Sequence, residues 1–369
     1  MSLIRRSVTS VSWNMVSNLA QMALLLVRSV LLARWLPVEV FGVYGFAASI
    51  VGLTVGFAGF GMGTALVRRA PETEDEKQAA ASHFTIKLLF TLVWGVVMVV
   101  IGFAFTSDLT RMALLVLTVS TIGVQLAETP TLLLVRHVMQ RRLAIINVIN
   151  VIITTLLSVG LAWQGATLWA LLVNDIVTCI VKIFGLYVWR PVWRPQIAWL
   201  PAIFRYYLSF GSRNFLVSLL WMALDRIDDL WTGFYLGNTP LGFYSQAFGL
   251  ATYPRTILAG PINSVAEGAY AELMHDRARL SRVFFQFNGL LVRSSFFLAG
   301  LLALVAPELI VLILGAKWLP MLTAFRLLLV FALLDPMRKL LGYLFAVMGR
   351  PEQVVPSLII RLVELVMSL

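Results

Sequence analysis

Residues 12–44 of this chain read SWNMVSNLAQMALLLVRSVLLARWLPVEVFGVY, and residues 212–244 read SRNFLVSLLWMALDRIDDLWTGFYLGNTPLGFY, 200 positions later and without a gap. The first-copy residues that recur unchanged are Ser12, Asn14, Leu19, Met22, Ala23, Leu24, Leu36, Gly42 and Tyr44. Both copies open a long apolar helix. The duplication therefore predicts two related helical lobes, an arrangement typical of membrane transporters built from internal repeats.

The composition indicates that much of the surface faces lipid. Hydrophobic residues make up 60% of the chain and charged residues 13%, against about 25% charged residues in soluble proteins. Mean hydropathy is +0.88. The net charge of +11 falls in short segments between apolar stretches, a distribution that argues against a nucleic-acid partner.

The apolar stretches predict an all-α polytopic membrane protein with about 11 spans, since a spanning helix needs about 20 mostly apolar residues. The candidate spans are residues 10–32, 40–66, 80–105, 110–135, 143–163, 167–187, 210–235, 241–262, 283–305, 319–347 and 354–369. Because six of them precede the second copy, both copies have one orientation and the repeat is parallel.

We therefore expect two pseudo-symmetric six-helix lobes, with the second lobe incomplete. The predicted domains are an N-terminal lobe over 1–187, an interfacial linker over 188–209 and a C-terminal lobe over 210–369. The last span reaches the final residue without a polar tail, so we expect this sequence to be a fragment or an incomplete gene product.

The flanking charges orient the chain. With a cytoplasmic N-terminus, most Lys and Arg residues between spans lie inside, and only Arg34, Arg111 and Lys317 lie outside. By the positive-inside rule this predicts a multi-pass protein of the bacterial cytoplasmic membrane with its N-terminus in the cytoplasm.

The linker repeats a short motif, Trp189-Arg190-Pro191 followed by Trp193-Arg194-Pro195. Tryptophan and arginine both suit the lipid headgroup region, where an apolar ring and a charged head are satisfied together. We interpret the segment as an interfacial connection, with a lipid-binding role as the alternative.

No pattern in the chain indicates an enzyme, a cofactor site or a metal site. The segments between spans are too short for a soluble catalytic domain, and phosphate-cradling glycine loops are absent from the sequence. Cys179 is the only cysteine. His83, His137 and His275 lack ligand-like spacing, and we expect them to be interfacial histidines near helix ends.

Acidic residues at membrane depth form one set of candidate functional groups. The candidates for ion coupling or gating are Asp225, Arg226, Asp228 and Asp229 in the seventh span, with Glu128, Asp175 and Asp335 elsewhere. Arg226 and Asp229 have the spacing of a helical ion pair. A proton or cation site and a self-neutralised cluster that holds the lobes together both remain open. Arg28 and Asp228 occupy equivalent positions of the repeat and could form a gate between the lobes.

Basic residues form the other set. The candidates for substrate binding are Arg28, Arg255, Arg293, Arg326, Arg338 and Lys339. A lipid-facing arginine at mid-bilayer costs roughly 2.5–3.5 kcal/mol on insertion scales, so these side chains should face protein or a cavity. Since guanidinium matches phosphate bidentately, they would suit a pyrophosphate-bearing lipid. Alternatively, some of these basic side chains pair with the acidic residues above or extend towards the membrane interface.

Several segments resemble a known family. They are Phe41-Gly42-Val43-Tyr44-Gly45, the stretch from Gly59 to Arg69, Leu241-Gly242-Phe243-Tyr244-Ser245-Gln246-Ala247, and the Pro254–Pro261 stretch leading to Ala271-Glu272-Leu273. These are similar to the Wzx-type flippases of lipid-linked oligosaccharides, in the polysaccharide transport branch of the multidrug/oligosaccharidyl-lipid/polysaccharide exporter superfamily. The likeness runs along nearly the whole chain, but its motifs are packing and turn patterns.

The resemblance implies a transporter that flips an undecaprenyl-diphosphate-linked oligosaccharide across the inner membrane by alternating access, in capsule, exopolysaccharide or O-antigen synthesis. Its implied partners are the lipid-linked substrate, membrane lipids and other polysaccharide-assembly proteins. Three alternatives remain: a multidrug exporter of the same superfamily, a membrane-embedded glycan polymerase or ligase, and a scaffold. A cavity rich in arginine disfavours cationic drugs, and short outer segments disfavour an enzyme.

Overall fold

The computed structural model of the protein describes residues 21–63, 65–68, 76–137, 139–273, 276–330, 356, 358–360 and 362. All secondary structure in these residues is helical. The helices are α1 (21–35), α2 (Val38–Gly59), α3 (Ala65–Arg68), α4 (Glu76–Phe105), α5 (Asp108–Leu126), α6 (Glu128–Arg136), α7 (Gln140–Trp163), α8 (Thr167–Ile183), α9 (Pro201–Trp231), α10 (Asn238–Leu273), α11 (Arg277–Leu304), α12 (Ala306–Ile313) and α13 (322–330). Short π-helical turns, Phe184–Val188 and Thr232–Leu236, extend α8 and α9, and a 3-10 helix spans Ala316–Met321.

Within the described residues, six helical segments are long and apolar enough to cross a membrane: Val38–Gly59, Glu76–Phe105, Asp108–Arg136, Arg141–Trp163, Thr167–Val188 and Ala278–Leu304. The protein is a multi-pass membrane protein. Five of these segments match predicted spans two to six, and the last matches predicted span nine.

The chain divides into two compact units, residues 1–230 and residues 231–369. In the first unit, α2, α4, α5 and α8 pack against one another around a core that includes Val43, Trp94, Met98, Leu114 and Leu172. In the second unit, α10 packs on α11 around Ala266, Tyr270, Leu280 and Leu291. The predicted domain boundaries, with the C-terminal lobe starting at 210, remain a prediction.

The helix breaks agree with the sequence repeat. The second helix of the first copy begins at Val38, and the second helix of the second copy begins at Asn238. These positions are equivalent under the 200-residue offset. The superposition of the two lobes itself remains a prediction.

The predicted span 110–135 is broken at Ala127 into α5 and α6. Pro130 explains the break, because proline lacks the N–H that would bond to the carbonyl four residues earlier. That carbonyl belongs to Leu126, and it accepts a hydrogen bond of 2.6 Å from the Tyr187 hydroxyl instead. The break therefore places Glu128 at the first position of a new helix.

Two other boundaries differ from the prediction. The seventh predicted span corresponds to α9, which starts at Pro201 rather than at residue 210, so the end of the predicted linker is helical. Proline is favoured in the first turn of a helix, where its missing N–H is not needed. The eight-residue helix α12 lies where the sequence predicted a connection between spans.

Helices α2 and α9 pack antiparallel in the first unit. Met222 of α9 lies over Gly56 of α2, whereas Gly211 lies over the carbonyl oxygen of Phe60 at the end of α2. Phe215 stacks on Phe60 with ring centroids 5.1 Å apart. The close approach depends on glycine, since a Cβ at Gly211 would lie 2.4 Å from that backbone oxygen.

We expect Gly211→Ala to destabilise the protein by about 1–3 kcal/mol, because the added methyl group meets a backbone atom and the helices must move apart. Gly160→Ala is the matched control, since a Cβ at Gly160 of α7 meets nothing within 4 Å. That substitution should be neutral or stabilising by up to about 1 kcal/mol. Thermal unfolding in detergent measures both, and equal melting temperatures for the two variants would contradict the packing argument.

Candidate substrate and ion site

One polar cluster joins α1, α2 and α8. Arg28 of α1 donates a hydrogen bond to the Asn174 side chain of α8. The hydroxyl of Tyr44 on α2 donates to Asp175 Oδ2 at 2.9 Å. Arg28 also lies close enough to Asp175 to interact with its charge. Two predicted site residues, one from each charge set, therefore meet in one cluster.

A second cluster lies further along α2, where α9 packs against it. Ser49 donates a hydrogen bond of 3.0 Å to Asp229 Oδ2, and Asp229 is only 8% exposed. The Arg226 guanidinium lies 3.4 Å from the same oxygen, as the spacing predicts. Asp228 Oδ1 accepts from the Asp229 backbone N–H. Two neighbouring acids and one arginine of α9 thus meet Ser49 of α2 in this cluster.

The two clusters are neighbours along α2. Tyr44 belongs to one and Ser49 to the other, and the charge of Arg226 acts on Tyr44. Gly52 leaves the space for Arg226, because a Cβ there would lie 3.0 Å from its Nε. Gly52 thus lets Arg226 of α9 approach α2 near the first cluster.

A third cluster surrounds the break between α5 and α6. Glu128 forms an ion pair with Lys87 of α4, whose side chain is 1% exposed. Lys182 of α8 also interacts with the charge of Glu128. Next to the pair, His83 Nδ1 lies 3.0 Å from Thr129 Oγ1. Glu128, a predicted coupling residue, thus pairs with Lys87 and interacts electrostatically with Lys182.

The prediction that His83 is interfacial is wrong. Its side chain is fully buried and packs edge-to-face on Tyr207, with ring centroids 5.3 Å apart. The start of α9 covers the start of α4, so a position near a helix end in sequence becomes interior in the fold. His137, by contrast, is exposed and lies 3.1 Å from Glu76, while His275 lies outside the described residues.

The basic candidates of the second unit are exposed wherever the structure describes their side chains, unlike the residues of the three clusters that are buried or half-buried. Arg293 is exposed in the middle of α11, and Arg326 is exposed with its Nε bonded to the Ala303 carbonyl at 3.2 Å. Arg255 lies on α10, but its side chain is outside the described part of the chain. Three further predicted residues lie outside it altogether: Asp335, Arg338 and Lys339.

Asp225 and Asp229 are four residues apart on α9. Asp225 is exposed whereas Asp229 is buried, so the two carboxylates differ in environment. Near the start of the same helix lies an apolar pocket of about 590 Å³, lined by Phe60, Trp199, Pro201, Phe204, Arg205, Leu208, Ser209 and Ser212. The sequence did not predict this pocket.

Sequence reasoning also missed several members of the clusters. They are Tyr44, Ser49, Lys87, Asn174 and Lys182. Lys87 and Lys182 carried a usable signal, since each is a charge within a predicted apolar span. Tyr44, Ser49 and Asn174 are polar residues of kinds that apolar helices commonly hold, so only their contacts identify them.

Residues 31–323 match the family described as polysaccharide biosynthesis protein. The match covers most of the chain and includes all three clusters apart from Arg28. The chain belongs to the polysaccharide biosynthesis protein family.

Two relatives illustrate the range of this polysaccharide biosynthesis family. The chain is 27% identical to the succinoglycan biosynthesis transport protein ExoT of Rhizobium meliloti over 84% of its own length and 63% of that protein. It is 24% identical to the lipopolysaccharide biosynthesis protein WzxC of Escherichia coli over 95% of its own length and 72% of that protein. The chain thus spans less than two thirds of the ExoT length.

Solved structures establish the fold of this family member. An inward-facing multidrug resistance MATE family transporter of the MOP superfamily matches with a TM-score of 0.68 at 18% identity, covering 93% of this chain and 83% of that one. A MOP superfamily transporter from Pyrococcus furiosus matches with a TM-score of 0.51 at 17% identity, covering 96% and 82%. The all-helical transporter fold expected from the duplication is confirmed.

Proposed function

We propose that the protein flips a lipid-linked oligosaccharide across the bacterial inner membrane by alternating access, as a step in surface polysaccharide synthesis. The observation that carries the proposal is the family match over residues 31–323. The names of ExoT and WzxC support it, since they refer to biosynthesis of succinoglycan and lipopolysaccharide and, for ExoT, to transport. The transporter fold and the charged clusters at membrane depth are consistent with translocation rather than catalysis.

The substrate in this proposal is an undecaprenyl-diphosphate carrying a glycan. It enters laterally from the inner leaflet, its pyrophosphate is bound by arginines within the membrane-spanning segments, and its polyprenyl tail stays in lipid. Membrane lipids and other polysaccharide-assembly proteins are the remaining partners. The N-terminus lies in the cytoplasm, which agrees with the basic segments between spans.

A direct test uses the purified chain in proteoliposomes and a fluorescently labelled lipid-linked oligosaccharide. We expect substrate to reach the opposite leaflet only in vesicles that contain the protein. Efflux of a cationic dye such as ethidium is measured in parallel. Dye transport without translocation of the glycan lipid would replace the proposal by a multidrug exporter.

Among the basic candidates whose side chains the structure describes, Arg293 is the one that can be tested most directly for phosphate binding. It lies in the apolar segment Ala278–Leu304 and is exposed in its own unit. Lipid exposure would cost about 2.5–3.5 kcal/mol, so we infer that the side chain faces a water-filled cavity.

We expect Arg293→Ala to reduce the transport rate at least about tenfold, the equivalent of one lost charge-assisted hydrogen bond. Arg293→Lys should retain more activity than Ala without restoring it fully, because an ammonium group cannot bind phosphate bidentately. Arg279→Ala is the matched control, since Arg279 is exposed in the first turn of the same helix. Wild-type rates for Arg293→Ala would remove the phosphate-binding role.

The acidic clusters supply the proposed coupling to an ion gradient. Asp175 and Asp229 each sit beside an arginine and a hydroxyl donor, so a proton or a cation can compete with the arginine for the carboxylate. The predicted Arg28–Asp228 gate is a further part of this proposal. Transport measured with a pH gradient, a sodium gradient and neither gradient identifies the ion, and rates indifferent to both gradients would contradict coupling.

A further inference from the structure

A basic pocket lies away from the polar clusters, where the start of α7 meets the end of α8. It has a volume of about 300 Å³ and is lined by Met139, Arg141, Arg142, Ile145, Trp189 and Arg190. Three of the six lining residues are arginines and none is acidic. The pocket also lies at the N-terminus of α7, whose first turn lacks an acidic residue. The positive end of the helix dipole therefore adds to the positive charge of the arginines.

The Arg142 side chain is fixed in this pocket by hydrogen bonds to backbone carbonyls of other residues. One of its terminal nitrogens donates to the carbonyls of Gly185 and Trp189, and its guanidinium lies 5.7 Å from the centre of the Trp189 ring. Its Nε is buried and has no hydrogen-bond partner. A buried donor without an acceptor is destabilising, and an anionic oxygen in the pocket would satisfy it.

The arginines also repel one another. Arg190 lies close enough to Arg142 for its charge to act on that guanidinium. A bound anion would neutralise this repulsion and accept hydrogen bonds from more than one arginine at once.

The position along the membrane normal indicates which anion. The apolar segments Arg141–Trp163 and Thr167–Val188 both end at the pocket, so it lies at the level of the lipid headgroups. Trp189 and Ile145 are exposed beside it and offer apolar contacts to an acyl chain. A phosphate group attached to a lipid therefore fits both the charge and the depth.

We propose that this pocket binds the phosphate of an anionic phospholipid headgroup, such as phosphatidylglycerol, in the leaflet that faces the linker. The lipid ties the start of α7 to the linker after α8. None of the lining residues belongs to the proposed transport residues, and the proposal assigns the lipid-binding alternative of the linker to particular residues.

The test is a titration of the purified chain in mild detergent with phosphatidylglycerol, with bound lipid counted by native mass spectrometry. The variant is Arg141→Ala with Arg190→Asn. Asparagine is chosen because Arg190 has a φ of 53°, a conformation that asparagine tolerates better than alanine. Arg142 is left intact because it holds two backbone carbonyls. The control, Arg279→Ala with Arg282→Ala, removes the same charge from two exposed positions of α11.

We expect the apparent Kd for phosphatidylglycerol to rise at least about tenfold in the pocket variant, since two charge-assisted contacts are lost. The control should bind as the wild type does, and phosphatidylcholine should bind weakly to all three proteins. Equal Kd values for the wild type and the pocket variant would overturn the proposal. Preferential binding of undecaprenyl phosphate would also overturn it, because the pocket would then belong to the transport route. If inorganic phosphate competes as well as phosphatidylglycerol does, the pocket needs no lipid, and the proposal is likewise overturned.

Transport assays distinguish this site from the proposed function. The pocket variant should still translocate the glycan lipid in vesicles, so failure of the lipid titration leaves the transport proposal untouched. Conversely, a protein without transport activity can still show arginine-dependent lipid binding.

Discussion

Glu128→Gln should destabilise the protein by about 3 kcal/mol or more, because it leaves Lys87 buried without its counter-charge. The Lys87 side chain is 1% exposed and pairs with Glu128 across the break between α5 and α6. Glutamine keeps the size and one acceptor oxygen of the original side chain. The loss therefore reports the charge of Glu128 rather than a cavity.

The second lysine makes the effect asymmetric. Lys182 interacts with the charge of Glu128, so Lys87→Met leaves the carboxylate with Lys182, whereas Glu128→Gln removes the negative charge with which both lysines interact. We expect Lys87→Met to cost less than Glu128→Gln. The double variant should recover part of the loss, since a buried ion pair can often be replaced as a whole at little cost.

Thermal unfolding in detergent of the two single variants and the double variant gives the coupling free energy. Asp108→Asn is the control, because Asp108 pairs with Arg111 at 3.4 Å but is 95% exposed. That pair should contribute less than about 1 kcal/mol. Similar losses for Asp108→Asn and Glu128→Gln, or additive losses in the cycle, would show that burial of the pair does not stabilise the fold.

The helical framework could be predicted because it depends on two local properties of the sequence, its apolar runs and its internal repeat. Apolar runs indicate which segments can cross the membrane, and the repeat predicts equivalent helices in its two copies, which begin at Val38 and Asn238 in the structure. Neither inference requires knowledge of which helices touch. The break at Ala127 could be predicted in part, because Pro130 is present in the sequence. The hydrogen bond that the Leu126 carbonyl accepts could not be predicted, because it comes from Tyr187 on another helical segment.

The partners of the charged residues could not be predicted in the same way. Lys87 and Glu128 lie on different helices, as do His83 and Tyr207. Sequence spacing gives neighbours only within one helix, as it did for Arg226 and Asp229. Contacts between helices depend on packing angles and on the close approaches that glycines such as Gly52 and Gly211 permit.

Asp175→Asn should reduce gradient-driven transport about a hundredfold while leaving the fold intact. The Asp175 carboxylate accepts from Tyr44 at 2.9 Å and interacts with the charge of Arg28. Asparagine keeps the shape and the hydrogen bond, but it cannot exchange a proton or balance the arginine. A hundredfold change corresponds to about 2.7 kcal/mol, within the range of a charge-assisted interaction.

Two variants of the same cluster separate charge from hydrogen bonding. Tyr44→Phe removes only a hydroxyl and should lower the rate by no more than about tenfold. Arg28→Ala removes the cation and also the hydrogen bond to Asn174, so we expect a loss as large as that of Asp175→Asn. Arg28→Lys should restore part of it if the positive charge is what matters.

The decisive comparison is between gradient-driven transport and substrate exchange without a gradient. If Asp175 couples the cycle to an ion, Asp175→Asn should abolish the response to the gradient while exchange continues, because alternation between the two states needs no net ion movement when substrate is present on both sides. Loss of both activities in a folded variant would instead place Asp175 in substrate binding. Wild-type response to the gradient in Asp175→Asn would remove the residue from the mechanism, and coupling would then rest on Asp229, whose carboxylate lies beside Ser49 and Arg226.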